Sequence, residues 1–498
     1  MTADRVEALG TGPWDSRVRF RSDAAGRHFA YRPNQLITTG DGVRSLGERL
    51  GDGGRIKVRP VFVRGLPDLG DAVDPKQADA AARELQSKRY ELTEAAWTDL
   101  AQSAVGSSEL ALVSGVPDPI GTARALRRAG IPAQPNHVFF SHARARANPG
   151  GHPNPGGHPN PGGHPNPGGH GPCACCAPSC GELDGQLESA RFSTAEPSLP
   201  PPAAEASGRR PSTTPCRVLV LDTGVSTEVA PGGAAVSSTG KLAQLRLEHV
   251  LGDDDPWDDD FDLTLDPVAG HGTFIAGLIT NLAPGATVTV DRSLASFGDT
   301  DDALIAQSLI DRFGNDTQPR YDIVSMSLGG FVEDDDPPMA IATAIARIQT
   351  RFTGAGDAPN QIRERVVFVA SAGNDASCRP TWPASFEGVI AVGALGPDGA
   401  APFTNYGPWV DACAPGVDAV STFFDLTGVA ACHDGEDYAG WCSWSGTSFA
   451  APVVAASIAW EWMNRTDPTA TPGDAAAWLL DRPGHFRFPG LGTVVNTH

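Results

Sequence analysis

Three tetrads of consecutive apolar residues, Val218-Leu219-Val220-Leu221, Val366-Val367-Phe368-Val369 and Val389-Ile390-Ala391-Val392, constrain this chain more than any other feature. A strand with one wet face alternates apolar and polar side chains, whereas a strand apolar at every position is covered on both faces. Such strands belong to parallel sheets, whose crossover connections lay helices over both sides. Segments with helical apolar periodicity alternate with them at 271–282, 302–313, 338–352 and 448–463. The alternation predicts an α/β fold, a doubly wound parallel sheet spanning residues 214–498.

Two stretches precede it. Residues 1–145 read as a smaller α/β domain. Strands are predicted around Ile56–Val63, at Glu109–Val113 and at His137–Phe140, and helices at Glu91–Ala104 and from Asp118 to Gly130. Asp118 and Pro119 suit the cap and first turn of the second helix, and Gly130 suits its end. Residues 146–213 cannot bury a core. The hexad Asn-Pro-Gly-Gly-His-Pro starts at Asn148, Asn154 and Asn160, and a fourth copy from Asn166 ends in Gly171. It spaces His152, His158, His164 and His170 evenly, and Cys173, Cys175, Cys176 and Cys180 follow. One reading is a linker stiffened by proline. The other is metal capture by the imidazoles together with Cys173, Cys176 and Cys180, although two separated Cys pairs, the usual zinc pattern, are missing.

Composition narrows the partners. The chain carries 59 Asp and Glu against 38 Lys and Arg, a net charge of −21. That excess argues against a nucleic-acid phosphate backbone and against an anionic membrane surface as partners. No apolar run reaches the length of a membrane span. The start, Met1-Thr2-Ala3-Asp4-Arg5, has neither the basic nor the apolar region of a secretion signal, and nine cysteines cannot all pair within one chain. The expectation is a cytoplasmic protein with free thiols.

Three short motifs carry chemistry. Asp222-Thr223-Gly224 follows the first apolar strand, Gly270-His271-Gly272-Thr273 opens a helix, and Gly446-Thr447-Ser448 opens the long apolar helix. In an open parallel sheet, strand C-termini and helix N-termini face one crevice, so the three can converge there. Serine becomes a useful nucleophile when a histidine removes its proton and a carboxylate fixes that histidine's tautomer. A fourth motif, Val369-Ala370-Ser371-Ala372-Gly373-Asn374, ends a buried strand in an amide able to donate to an oxyanion. A fifth, Ser325-Met326-Ser327-Leu328-Gly329-Gly330, offers a strand edge to which an extended peptide can add.

With these motifs in this order, residues 214–498 closely resemble the subtilisin family of serine proteases. Phe403-Thr404-Asn405-Tyr406-Gly407 and Ala414-Pro415-Gly416 strengthen the resemblance. It implies a serine endopeptidase acting through an acyl-enzyme without a cofactor, with peptide or protein substrates. Asp222 would be the orienting carboxylate, His271 the general base and acid, Ser448 the nucleophile and Asn374 the oxyanion donor. Ser327, Leu328 and Gly329 would line the substrate cleft. Thr381 stands where many members have glycine at the specificity pocket, which implies a shallower pocket for small or medium side chains. Pro452-Val453-Val454 departs from the family's usual Pro-His-Val. The first domain resembles, more loosely, the family's propeptide, an intramolecular chaperone and inhibitor. The stretch Ser141–Ala147 would then lie in the cleft and be cut. A permanent partner-binding domain is the alternative.

The acidic run from Asp253 to Asp262 invites a calcium reading, but Asp258 stands where the tight turn of an EF-hand loop needs glycine. A solvated acidic loop, able to draw basic substrate residues, is the plainer expectation. Cys432 and Cys442 flank an acidic insert ahead of Ser448, with a disulfide expected only after export. The rival to the protease is a metal-responsive binding protein acting through the His and Cys linker.

Overall fold

A computed structural model describes residues 17–50, 56–62, 109–142, 191–192, 216–226, 229–230, 234–235, 250–259, 265–314, 319–355, 362–425, 439–467, 469–481 and 484–495. The His and Cys repeat segment, the helix expected at Glu91–Ala104 and Cys432 lie outside them.

The N-terminal elements are strands β1 (Arg19–Ser22) and β2 (His28–Thr39), helix α1 (Gly40–Leu50), strands β3 (Lys57–Pro60) and β4 (Leu110–Ser114), helix α2 (Pro119–Arg128) and strand β5 (Ala133–Ser141). Strands β4 and β5 both run antiparallel to β2 and lie on either side of it. They are therefore parallel to each other, with α2 crossing over the strand between them. The Asp118 carboxylate accepts the Gly121 N–H at 3.0 Å, and Gly130 takes a positive φ of 77° just beyond the end of α2. Leu36, Leu46, Val113, Val116, Ala123, Leu126 and Ala133 form the core beneath α2.

The large domain follows as β6 (Arg217–Asp222), β7 (Val250–Gly252), α3 (His271–Leu282), β8 (Thr287–Arg292), β9 (Asp299–Asp301), α4 (Asp302–Phe313), β10 (Ile323–Met326), β11 (Leu328–Gly329), α5 (Met339–Phe352), β12 (Val367–Ser371), β13 (Val389–Gly396), β14 (Ala412–Pro415), β15 (Ala419–Asp425), β16 (Ala439–Trp444), α6 (Thr447–Met463), α7 (Pro472–Asp481), β17 (Arg487–Phe488) and β18 (Gly492–Val494). The sheet runs β7-β8-β6-β10-β12-β13-β14-β18-β17 and is parallel from β7 through β18. From β6 the chain winds to one side through β10, β12, β13 and β14, and on the other side β8 lies between β6 and the edge strand β7, the doubly wound arrangement expected of the apolar tetrads. One face packs on α3 and α6, the other on α4 and α5.

The core cluster beneath α4 and α5 also contains Ile37, Leu110, Leu112 and Phe139, so the small domain's sheet closes over those two helices. Polar contacts fix its position. Gln134 Nε2 donates to the Pro337 carbonyl (3.1 Å) and its Oε1 accepts the Met339 N–H (3.0 Å) at the start of α5. Glu333, buried, accepts from Arg124 Nε and Arg127 Nη2 at 2.8 and 2.9 Å. Arg32 forks to Asp299 and Asp301 at 2.7 and 2.9 Å. The small domain's arginines thus meet carboxylates of the large one.

Over its described residues, 253–259, the acidic run is not the solvated loop expected. Asp255 is fully buried and Asp258 nearly so. Asp253 Oδ2 accepts the Arg292 N–H at 2.9 Å and pairs with Arg312, and Asp259 pairs with Arg292 at 2.8 Å. These carboxylates are spent on arginines and backbone donors that approach from other parts of the chain. Among the described residues no three His, Cys, Asp or Glu side chains converge as a metal set, and no helix is long and apolar enough to cross a membrane.

Candidate active site

Strand β6 ends at Asp222 and α3 begins at His271, so the parallel sheet delivers both to its C-terminal edge. Asp222 Oδ1 lies 2.7 Å from His271 Nδ1 and also accepts the Thr223 N–H at 2.8 Å. Both side chains are fully buried. The imidazole is walled by Trp444 and Phe449, each with a ring centroid 5.4 Å away. Gly270, at φ 81°, is where the chain turns into α3, and a Cβ there would lie 2.3 Å from the Phe423 ring. Any larger residue would displace the wall behind the histidine.

Ser448 lies in the first turn of α6. The helix is buried almost all round, which holds the serine rigidly. Pro452 lies one helical turn on and has no N–H, so the Ser448 carbonyl loses its intrahelical partner. Ser327 supplies the missing donor: its Oγ reaches the Ser448 carbonyl at 2.8 Å, while Ser448 Oγ donates to the Ser327 carbonyl at 3.0 Å. This reciprocal pair ties Ser448 to the strand edge beside the cleft.

Asn374 completes the group. Its Oδ1 accepts from the Thr447 N–H (3.0 Å) and hydroxyl (2.9 Å), which leaves its Nδ2 facing the cleft. There Nδ2 meets the carbonyl oxygen of His142 at 2.5 Å, and the Ser448 N–H reaches the same oxygen at 3.3 Å. Two donors thus converge on one carbonyl directly over the serine, the geometry required to hold a developing oxyanion.

That carbonyl belongs to the strand that enters the cleft. The end of β5 runs between β9 and β11, antiparallel to both, with Phe140 opposite Asp299 and Gly329 and Ser141 opposite Leu328. The Ser141 N–H donates to Gly298 and the His142 N–H to Ser327. The edge formed by Ser327, Leu328 and Gly329 therefore receives an extended segment of this same chain. Thr381 is buried beside Gly329, its hydroxyl accepting from Asn405 Nδ2 at 3.0 Å. The Ser141 hydroxyl lies 3.2 Å from His271 Nε2, the nitrogen that would take the proton of Ser448.

Two features escaped the motif reading. Asp255 Oδ2 accepts from the Gly270 N–H and the Thr223 hydroxyl, each at 3.1 Å, and from the Thr273 hydroxyl at 3.3 Å, joining the loops that carry Asp222 and His271. Burial pushes its carboxyl up to about 8, helped by the charge of Asp222 and opposed by these donors. Thr447, which orients Asn374, was visible only as a flank of the serine. Of the remaining candidates, His152, His158, His164, His170, Cys173, Cys176 and Cys180 lie outside the described residues.

Comparison with known proteins agrees with this layout. Residues 216–482 match the model of the subtilase family. The chain is 33% identical over 250 residues to the thermophilic serine proteinase of a Bacillus species (strain AK1), covering 48% of this chain and 50% of that protein. It is 29% identical over 256 residues to subtilisin Savinase of Lederbergia lenta, covering 49% and 74%. To the extracellular basic protease of Dichelobacter nodosus it is 27% identical over 243 residues, covering 47% and 36%. Among solved structures, a cold adapted subtilisin-like serine proteinase aligns with a TM-score of 0.41 at 22% identity, covering 57% of this chain and 89% of that one. The matched segment spans about half the length of the first of these relatives. With over half the chain matched by one family model, and that model's span holding the sheet from β7 to β14 and every residue of the site except the inserted strand, this chain belongs to the subtilase family.

Proposed function

We propose that this chain is a serine endopeptidase in which Ser448 attacks a peptide carbonyl, His271 carries the proton to the leaving amine, and Asp222 holds the imidazole. The observation that carries this reading is the His142 carbonyl, placed over Ser448 between the Asn374 amide and the Ser448 N–H. Attack there forms a tetrahedral oxyanion facing both donors; its collapse expels the Ala143 amine, which takes the proton from His271, and leaves an acyl-enzyme on Ser448. Water, deprotonated by His271, then releases the His142 carboxylate. The route uses no cofactor, so activity should survive chelators.

The N-terminal domain acts as an intramolecular inhibitor whose strand occupies the cleft until the His142–Ala143 bond is cut. The Ser141 hydroxyl supports the inhibitory role by engaging His271 Nε2, while Ser448 Oγ is turned to Ser327. The substrates are extended protein segments, consistent with the strand edges that receive β5. The described thiols, Cys216, Cys378, Cys413 and Cys442, form no disulfide, which suits a reducing compartment. Two relatives are by contrast extracellular by name. Assay of lysate against culture medium decides between them.

Intact mass of the purified chain beside Ser448→Ala tests the whole reading. The wild type should lose the mass of residues 1–142 and then label with a fluorophosphonate, and the variant should do neither. An intact, unlabelled wild type would leave the binding-protein alternative standing.

A further inference from the structure

The side chain of His142, the residue whose carbonyl faces Ser448, sets what the cleft selects. Its imidazole is buried and its Nδ1 lies 2.7 Å from the hydroxyl of Ser371, the last residue of β12. The ring lies against the cleft edge: a Cβ on Gly329 would come within 2.5 Å of its Cε1, and Thr381 closes the same side. The backbone at Gly329 and Ser371 adds hydrogen-bond acceptors. The titratable group facing it is His271, which is paired with Asp222. No carboxylate acts on the imidazole among the described residues, and burial, with the nearby His271, pushes it down to about 3.

These surroundings separate side chains by chemistry. A lysine or arginine would bury a cation with nothing to pair it, and an aspartate would bury an anion beside backbone acceptors. An apolar side chain of the same size would leave the Ser371 hydroxyl unpaired. Resting on the protease reading above, we propose that this pocket is a reader of neutral histidine, with Ser371 as its specificity-determining residue. The enzyme's substrates are protein segments with histidine immediately before the cut bond. His142–Ala143 is the first of them.

A fluorogenic peptide series Phe-Phe-Ser-Xaa, with Xaa as His, Nδ1-methyl-His, Gln, Leu, Phe, Arg or Asp, tests this on the processed enzyme. At pH 8 the His peptide should exceed Leu and Phe by about three- to tenfold in kcat/KM, the value of one buried hydrogen bond. Arg and Asp should be poorest. Nδ1-methylation, and separately Ser371→Ala, should abolish the advantage of histidine over Leu. Lowering the pH through about 6.5 should reduce the His rate relative to Gln. Preference for Leu or Phe over His, or an unchanged His preference in both Ser371→Ala and the methylated peptide, overturns the proposal even if Ser448 labels normally. A chain that neither labels nor hydrolyses any peptide overturns the protease reading, and this proposal with it.

Discussion

Single residues decide how far this site is a machine and how far a lock. Asn374 is aimed by Thr447, so Asn374→Ala should lower kcat with little change in KM. The expected loss of about 10²- to 10³-fold is the value established on subtilisin itself rather than derived for this chain. Steady-state kinetics on the processed enzyme checks it. Ser141→Ala should do the reverse to self-cleavage. Freed of the Ser141 hydroxyl, His271 Nε2 can turn to Ser448, and the intact chain should disappear a few-fold faster on a timed gel. Asp255 carries a pH signature. Folded, it keeps its proton to about 8; unfolded, it releases it near 4. Stability therefore declines as pH rises between these values, because the native state binds more protons there. Melting temperatures of Asp255→Asn measured from pH 5 to 9 should lack that component of the decline. The role of Asn374 was legible in its motif, whereas those of the Ser141 hydroxyl and Asp255 were not. Asp255 looked like one of several solvated acids, because the N–H and hydroxyl groups that hold it come from the Asp222 and His271 loops. Asp222, His271 and Ser448, by contrast, were legible because each sits where an apolar strand ends or an apolar helix begins.

At the level of elements, helices α3, α4, α5 and α6 lie within a residue of where periodicity put them, since each presents apolar residues to a covered sheet. The miss is β2. His28–Thr39 is the central strand of the small domain, but Pro33 and Asn34 break its alternation, and the register with β5 shifts between Tyr31 and Leu36, where Asn34 takes a φ of 58°. A bulge hides a strand from a period-two reading. The ion pairs that dock α2 offer a further test. Glu333 is 1% exposed, while Arg124 and Arg127 are 41% and 28% exposed and keep much of their hydration. Glu333→Gln should therefore weaken docking by only about 1–2 kcal/mol. Melting of the unprocessed Ser448→Ala background, with and without the change, measures it.

For the molecule as a whole, β5 brings two neutral histidines into protein interior. Burial lowers His137 to about 3, with Arg127 and Arg379 adding, and lowers His142 to the same value, with His271 adding. The Glu333 N–H donates to His137 Nε2 at 3.1 Å, a bond that protonation would break. Released, both side chains would titrate near 6.5. The released form then binds up to two more protons, so docking weakens as pH falls below about 6.5, by at most ~100-fold per unit. If the N-terminal domain is the proposed inhibitor, inhibition by its released fragment should relax at pH 5.5 and return at pH 7.5; inhibition constants at the two values check the sign.

On the proposed reading, withdrawal of β5 has a consequence for what the cleft can meet. It leaves β9 and β11, which both pair with β5, as two bare strand edges on either side of a slot one strand wide, each with backbone groups in want of partners. A helix is about twice too wide for that slot, and a strand already paired in its own sheet has no edge to spare. A folded protein can enter only by surrendering a short run of its own structure to the extended form. On the proposed reading the slot would rank native proteins by the free energy of their local unfolding before any side chain is read, and a histidine in a rigid helix would pass untouched.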